Sequence, residues 1–214
     1  MLIAMARDLA RGFSLIELMI ATAAGAFLLS GLIAVLVTTL QHQTSTLRHA
    51  HLEYELHAII DLIRTDLKRA GAREARTEES PPSNNAFLGL SLPGENCILY
   101  SYASAPDRAG QPGPEDYAGL RLDDGRLRMK TSDDTCQPDG CTDCASGHWS
   151  TLNDERSTEI TAVRFDLRSL PAPGGYVVRE IAVTLTGQLR AVPKIVHSVH
   201  AVITLPNDVP APQD

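Results

Sequence analysis

A chain of 214 residues, 43% hydrophobic and 21% charged, has room for one globular domain and an appendage. Its formal net charge of −7 gives no support to a nucleic-acid-binding surface, although 19 Lys and Arg residues leave room for a local basic patch. No nucleophilic serine motif, phosphate-binding loop or dinucleotide fingerprint occurs, so neither an enzyme nor a cofactor is expected.

Residues 1–12, MLIAMARDLARG, set Arg7 and Arg11 against Asp8. From Phe13 to Leu40 the only charge is Glu17, in a run of about 28 residues. A helix needs only ~20 apolar residues to cross a bilayer. The run is too long for a secretory h-region, and no small-residue cleavage site follows it. Basic residues on its short side predict a cytoplasmic N-terminus, with everything after residue 40 in a periplasm-like space. A lone carboxylate five residues into such a span is costly and marks function. Gly25 and Gly31, with Ala21, Ala23, Ala24 and Ala26 nearby, suit close helix packing.

One helix is predicted from residue 13 to about 70, since no proline occurs before Pro81. Its second half, 41–71, is amphipathic. Leu52, Leu56, Ile59, Ile60, Ile63, Leu67 and Ala70 recur at three- and four-residue steps, opposite Glu53, Glu55, Asp61, Arg64, Asp66 and Lys68. Gly71 is the expected stop, behind Lys68 and Arg69. At ~1.5 Å per residue this helix is roughly 85 Å long.

Residues 72–96, rich in Pro, Asn and Gly, read as a connecting loop. Period-two patterns then predict strands at 97–104, 158–169, 176–189 and 194–205, and a hairpin over 117–130 turning at Asp123-Asp124-Gly125. Val163, Phe165 and Leu167 are expected to face inward, as are Ile181, Val183 and Leu185. Residues 131–150, with three cysteines, read as a stapled loop, and Ser169–Gly175 as a turn. The expected fold is α+β: a long N-terminal helix packed on an antiparallel β-sheet. The β-rich head spans 72–206, and 207–214 form a flexible tail.

Four cysteines, Cys97, Cys136, Cys141 and Cys144, in an exported domain favour disulfides. Three pairings are possible and the sequence does not choose among them; one strand-to-loop bridge plus one local bridge is the economical arrangement. Cys136, Cys141 and Cys144, with His148 beyond, also have metal-like spacing, but the exported setting favours disulfides and no metal is expected. His42, His49, His51 and His57 cluster on the helix without one metal-binding face for His42, His49 and His57. The acidic turns at Asp123, Asp124, Asp133, Asp134, Asp139 and Asp143 form no EF-type loop.

The run Gly12-Phe13-Ser14-Leu15-Ile16-Glu17-Leu18-Met19 resembles the start of the type IV pilin superfamily: a short basic leader ending in Gly, then Phe-Ser-Leu-apolar-Glu opening an apolar helix. The resemblance implies that a prepilin peptidase removes the 1–12 leader between Gly12 and Phe13. It also implies N-methylation of the new Phe13 amine, and an assembly role for Glu17 within the 13–40 transmembrane half. Less specific likenesses at IIDLIRTDLKRAGA (59–72), at 148–169 and at 177–208 resemble minor pilins of the PilW class. The J-type minor pseudopilin of type II secretion shares the plan. No cysteine lies near the C-terminus, so the C-terminal disulfide loop of many major pilins is missing.

On this resemblance the chain is a minor pilin that helps prime pilus assembly and forms part of the tip complex. The alternatives are a tip pseudopilin of a secretion system, or a pilin whose head binds a surface or ligand. The implied partners are the prepilin peptidase, other minor pilins, the major pilin and a PilY-type tip adhesin, with the bacterial inner membrane holding the subunit before assembly. No nucleic acid is expected.

Overall fold

The computed structural model describes residues 14–73, 85–105, 111–137, 140–173 and 176–210, with side chains at 41, 42 and 208–210 excepted. The chain divides between Leu47 and Arg48 into two units. Helix α1, Leu15–Leu67, supplies the first unit and opens the second.

In the second unit all seven apolar residues of the 41–70 pattern are buried, from Leu52 to Ala70. They form one core with two antiparallel sheets. The first sheet orders its strands as they occur in the chain: β1 (Leu90–Gly94), β2 (Cys97–Ser101), β3 (Tyr117–Asp123), β4 (Arg126–Ser132) and β5 (His148–Thr151). The second comprises β6 (Thr158–Ala172), β7 (Tyr176–Leu189) and β8 (Val192–Pro210), with β7 in the middle. The architecture is the expected α+β arrangement of a long helix followed by antiparallel sheet.

The helix ends as its last carbonyls find other donors. Arg69 and Ala70 donate their N–H groups three residues back, to Asp66 and Leu67, which tightens the final turn. Gly71 then adopts φ +79° and donates its N–H to the Ser101 carbonyl at 2.8 Å. The left-handed conformation at that position favours glycine. Asn207 donates its side-chain amide to the Ala70 carbonyl at 2.7 Å, and Asn85 does the same for Gly71 at 2.8 Å.

The β3–β4 hairpin turns on Asp124 and Gly125, both at positive φ, between the paired residues Asp123 and Arg126. That is the two-residue geometry an Asp-Gly pair favours.

Several expectations need correction. The 72–96 loop contains β1, an edge strand that tolerates Pro93 because one side of its ladder is open. The 131–150 loop gives up its end to β5. The turn expected at 169–175 is shortened by β6, which continues through Pro171 to Ala172, paired with Tyr176. Strand β8 runs to Pro210, opposite Tyr176, so the 207–214 segment is strand over its first part. Residues 211–214 lie outside the described residues. Leu167 does not face a covered interior: it is 38% exposed on edge strand β6, while its register partner Ile181, on central β7, is buried. Asp66, assigned to the polar face of the helix, is buried.

Candidate functional site

The first candidate site is the apolar half of α1. Its large side chains are open along the whole length, with Leu15 at 81% and Phe27 at 79% exposure. Glu17 lies in the first turn of the helix and is exposed. Gly12 and Phe13 lie outside the described residues. Hydroxyls within this stretch return to the helix's own backbone: Thr22 to Met19, Ser30 to Phe27, Thr38 to Ala34 and Val35, and Thr39 to Val35. A helix that satisfies its polar groups internally tolerates lipid. By length and composition α1 is able to cross a membrane. It stays helical through Gly25 and Gly31, where an added Cβ would meet nothing within 4 Å among the described residues.

The second candidate site is the loop between β4 and β5. Cys97, at the start of β2, is bonded to Cys144, and Cys136 to Cys141, so all four thiols are used. Asp133, Cys136 and Cys141 lie close together, but sulfurs joined in a disulfide offer no thiolate to a metal.

Beneath the bridges Lys130 of β4 is fully buried and forms an ion pair with the equally buried Asp133. Asp133 also accepts hydrogen bonds from the Thr135 N–H and hydroxyl and from the Ser146 hydroxyl. Burial alone would raise the Asp133 pKa; the Lys130 contact and these hydrogen bonds outweigh it and hold the carboxyl well below the usual range. Trp149 of β5 donates its indole N–H to the Ser146 carbonyl at 2.7 Å. The Arg121 guanidinium stands 4.4 Å from the Trp149 ring centroid and the Lys130 ammonium 5.0 Å. Arg121 also donates to the Cys144 carbonyl. The loop is thus tied to β3, β4 and β5 by charge and hydrogen bonds, and to β2 by sulfur.

A third cluster closes the helix on the head. Asp66 accepts hydrogen bonds from the hydroxyls of Tyr100 and Tyr102, the second at 3.2 Å, and pairs with Arg69 at 3.6 Å. Arg69 lies 3.9 Å over the Tyr102 ring. Burial, reinforced by the Asp66 charge, raises the Tyr100 pKa well above its ordinary value and pushes Tyr102 up to about 12. About three turns earlier on the same helix, Glu55 accepts from the Asp154 N–H at 2.8 Å and from the Thr158 hydroxyl. Sequence reasoning missed Asp66, Lys130 and Asp133 as interior groups. The available signal was the Tyr100-Ser101-Tyr102 spacing, which offers two phenols to one acceptor.

These sites hold a subunit together and expose a greasy stem; none assembles a nucleophile, a base and a substrate cleft. A family model described as Prepilin peptidase-dependent protein B matches residues 45–205, which take in the helix's packed half, the strands β1 to β8 but for the end of β8, and all four cysteines. A second, described as Prokaryotic N-terminal methylation motif, matches residues 7–38, around Gly12, Phe13 and Glu17. No curated protein and no solved structure matches the chain. Domains of this family are structural and non-enzymatic, and dependence on the prepilin peptidase entails processing by it. The chain belongs to the prepilin peptidase-dependent protein B family and is a type IV pilin-like minor pilin or pseudopilin, anchored by its apolar helix before assembly.

Proposed function

We propose that this chain is a minor type IV pilin of the PilW class that helps prime pilus assembly and takes a place in the tip complex. The observation that carries the reading is the exposed apolar half of α1, with its single charge at Glu17, inside a matched methylation motif. A stem whose large apolar side chains stand exposed among the described residues is suited to packing against the stems of other subunits. The peptidase cuts between Gly12 and Phe13, and the Phe13 amine is methylated. Before assembly the stem spans the inner membrane once, with the N-terminus cytoplasmic and the head periplasmic. The disulfides and the Lys130–Asp133 pair make the head a rigid block for contacts with other minor pilins, the major pilin and a PilY-type adhesin.

The test is made in the native host. Deleting the gene should sharply reduce surface fibres while leaving secretion of exported enzymes normal, and quantitative mass spectrometry of sheared fibres should find the chain at a small fraction of the major subunit. Loss of enzyme secretion with normal piliation would assign it to a secretion pseudopilus. Abundance comparable with the main subunit would overturn the minor role.

A further inference from the structure

His197 interrupts an otherwise apolar row. On β8 the alternating residues Ile195, Val199, Ala201, Ile203 and Leu205 are all buried, and His197 takes the position between the first two. Its register partner on β7 is Gly187. A Cβ at Gly187 would stand 3.0 Å from the Leu56 side chain, so the missing side chain lets α1 lie close to β7 there. That close approach carries His57, the residue after Leu56, to His197: the ring centroids are 6.3 Å apart. Glu53 lies four residues before His57, one turn back on the same helix face. The side-chain donor atoms of Glu53, His57 and His197 all lie within 4.8 Å of one another.

We infer that Glu53, His57 and His197 bind a divalent transition-metal ion of the zinc class. The donor set is two imidazoles and one carboxylate, which suits zinc and its neighbours rather than magnesium or calcium, whose sites are built from oxygens. The Nδ1 of His57 is 2.8 Å from the Glu53 carbonyl oxygen. A carbonyl only accepts, so Nδ1 carries the proton and the Nε2 lone pair is left for a ligand. This is the backbone orientation characteristic of metal-binding histidines. Ligands at ~2.0–2.2 Å from one tetrahedral ion stand roughly 3.4 Å apart, so closing the set requires shifts of about an ångström. The Glu53 and His57 side chains are exposed and His197 is half-buried, which leaves room for that movement. A water completes the fourth position. The bound ion ties α1 to edge strand β8 beside the apolar core that they share. The helix histidines revealed no ligand face in the sequence because the third donor, His197, comes from a strand far along the chain.

The experiment uses the full chain in detergent, without an affinity tag and without reductant, so that the disulfides withhold their sulfurs. Cobalt(II) titration followed by visible absorption, and zinc competition against a chromophoric chelator, should show one ion per chain with micromolar or tighter affinity. His57→Gln and His197→Gln should each weaken binding by roughly 10–100-fold or more, with the cobalt bands lost. Glu53→Gln, at an exposed position that the core does not use, should weaken it about tenfold with the fold intact by circular dichroism. His200→Gln, at an exposed histidine bonded to Thr184, should bind like the parent. Zinc should raise the unfolding temperature of the parent and not of the ligand variants. Absence of saturable binding in the micromolar range, or binding unchanged in His57→Gln and Glu53→Gln, would overturn the site.

Discussion

Asp66, in the last turn of α1, accepts a hydrogen bond from the hydroxyl of Tyr100 on β2, and both side chains are buried. The contact joins residues 34 positions apart and fixes where the helix stops relative to the first sheet. A hydrogen bond to a charged group contributes about 1.5–3 kcal/mol, so Tyr100→Phe should lower head stability by that order in denaturant titration. Tyr102→Phe should cost less, since its bond is longer and its side chain is only partly buried.

The same cluster predicts sensitivity to alkali. Tyr102 has a folded pKa of about 12, above its ordinary value of 10.0, and Tyr100 is raised as well. A raised pKa favours the protonated form in the folded state. That contribution to stability is complete below about pH 10 and is lost as pH rises through about 12. Tyrosinate absorbance should show two late-titrating phenols, and replacing both by Phe should flatten the alkaline loss. Titration of all tyrosines together near the ordinary value would contradict the buried cluster.

The Lys130–Asp133 pair should be the most expensive polar contact to break. Asp133→Asn leaves a fully buried ammonium without its counter-charge, a change that costs about 3–5 kcal/mol in comparable sites. Because the Asp133 pKa is depressed, its contribution is present above the ordinary carboxylate value and is lost as pH falls through the depressed one. The stability gap between parent and Asp133→Asn should therefore hold from neutral pH down to about pH 4 and narrow below it. A gap independent of pH down to strong acid would show that the carboxylate is not the source.

The two disulfides should differ in what they contribute. The Cys97–Cys144 bridge closes a sequence separation of 47 and the Cys136–Cys141 bridge one of 5. On chain entropy these correspond to about 4 and about 2 kcal/mol. Thiol counting on denatured, unreduced protein should find none. The double replacement Cys97→Ser with Cys144→Ser should destabilise the head more than Cys136→Ser with Cys141→Ser. The reverse order would indicate that the loop's ion pair and Trp149 contacts, rather than the longer bridge, set its position.

What could be read in advance follows from which forces are local. The stripe from Leu52 to Ala70 was legible because a helix repeats its buried face every three or four residues, and each member proved buried. The Asp124-Gly125 turn was legible because its backbone requires positive φ at both residues. Strand β1 was not, because Pro93, Gly94 and the neighbouring asparagines carry loop chemistry, and edge pairing with β2 overrides it. Asp66 and Lys130 were not, because a charged residue is buried only when its partners are present. Two of those partners, Tyr100 and Trp149, lie well away in the sequence or on another strand. The disulfide pairing was open for the same reason: Cys97 and Cys144 are brought together by β2–β3 pairing and by Arg121 holding the loop at Cys144, neither of which spacing reveals.

At the other end of the chain, Glu17 is expected to be needed for assembly and dispensable for cleavage. Removal of residues 1–12 would create a positively charged amine at Phe13, and mass spectrometry of native fibres should find methyl-Phe13 as the first residue. Glu17 lies four residues along, one helical turn away on nearly the same face. On the proposed processing it would pair with that amine in its own chain or in the adjoining subunit. Within a bundle of apolar stems an unpaired carboxylate is costly, so the pair selects one axial register over its neighbours. Glu17→Ala and Glu17→Leu should still insert, because both make the stem more apolar, and both should still be cut, because the Gly12–Phe13 bond is unchanged. The expected phenotype is a processed, membrane-retained subunit that fails to prime fibres. Normal piliation with both substitutions would remove the pairing role, except in a subunit at the extreme tip, which has no neighbour ahead of it to receive its carboxylate. Crosslinking the variant and parent stems to the major subunit separates those outcomes: a tip position leaves the parent's Glu17 end uncrosslinked ahead, whereas a dispensable carboxylate leaves the parent crosslinked on both sides and the variants unchanged.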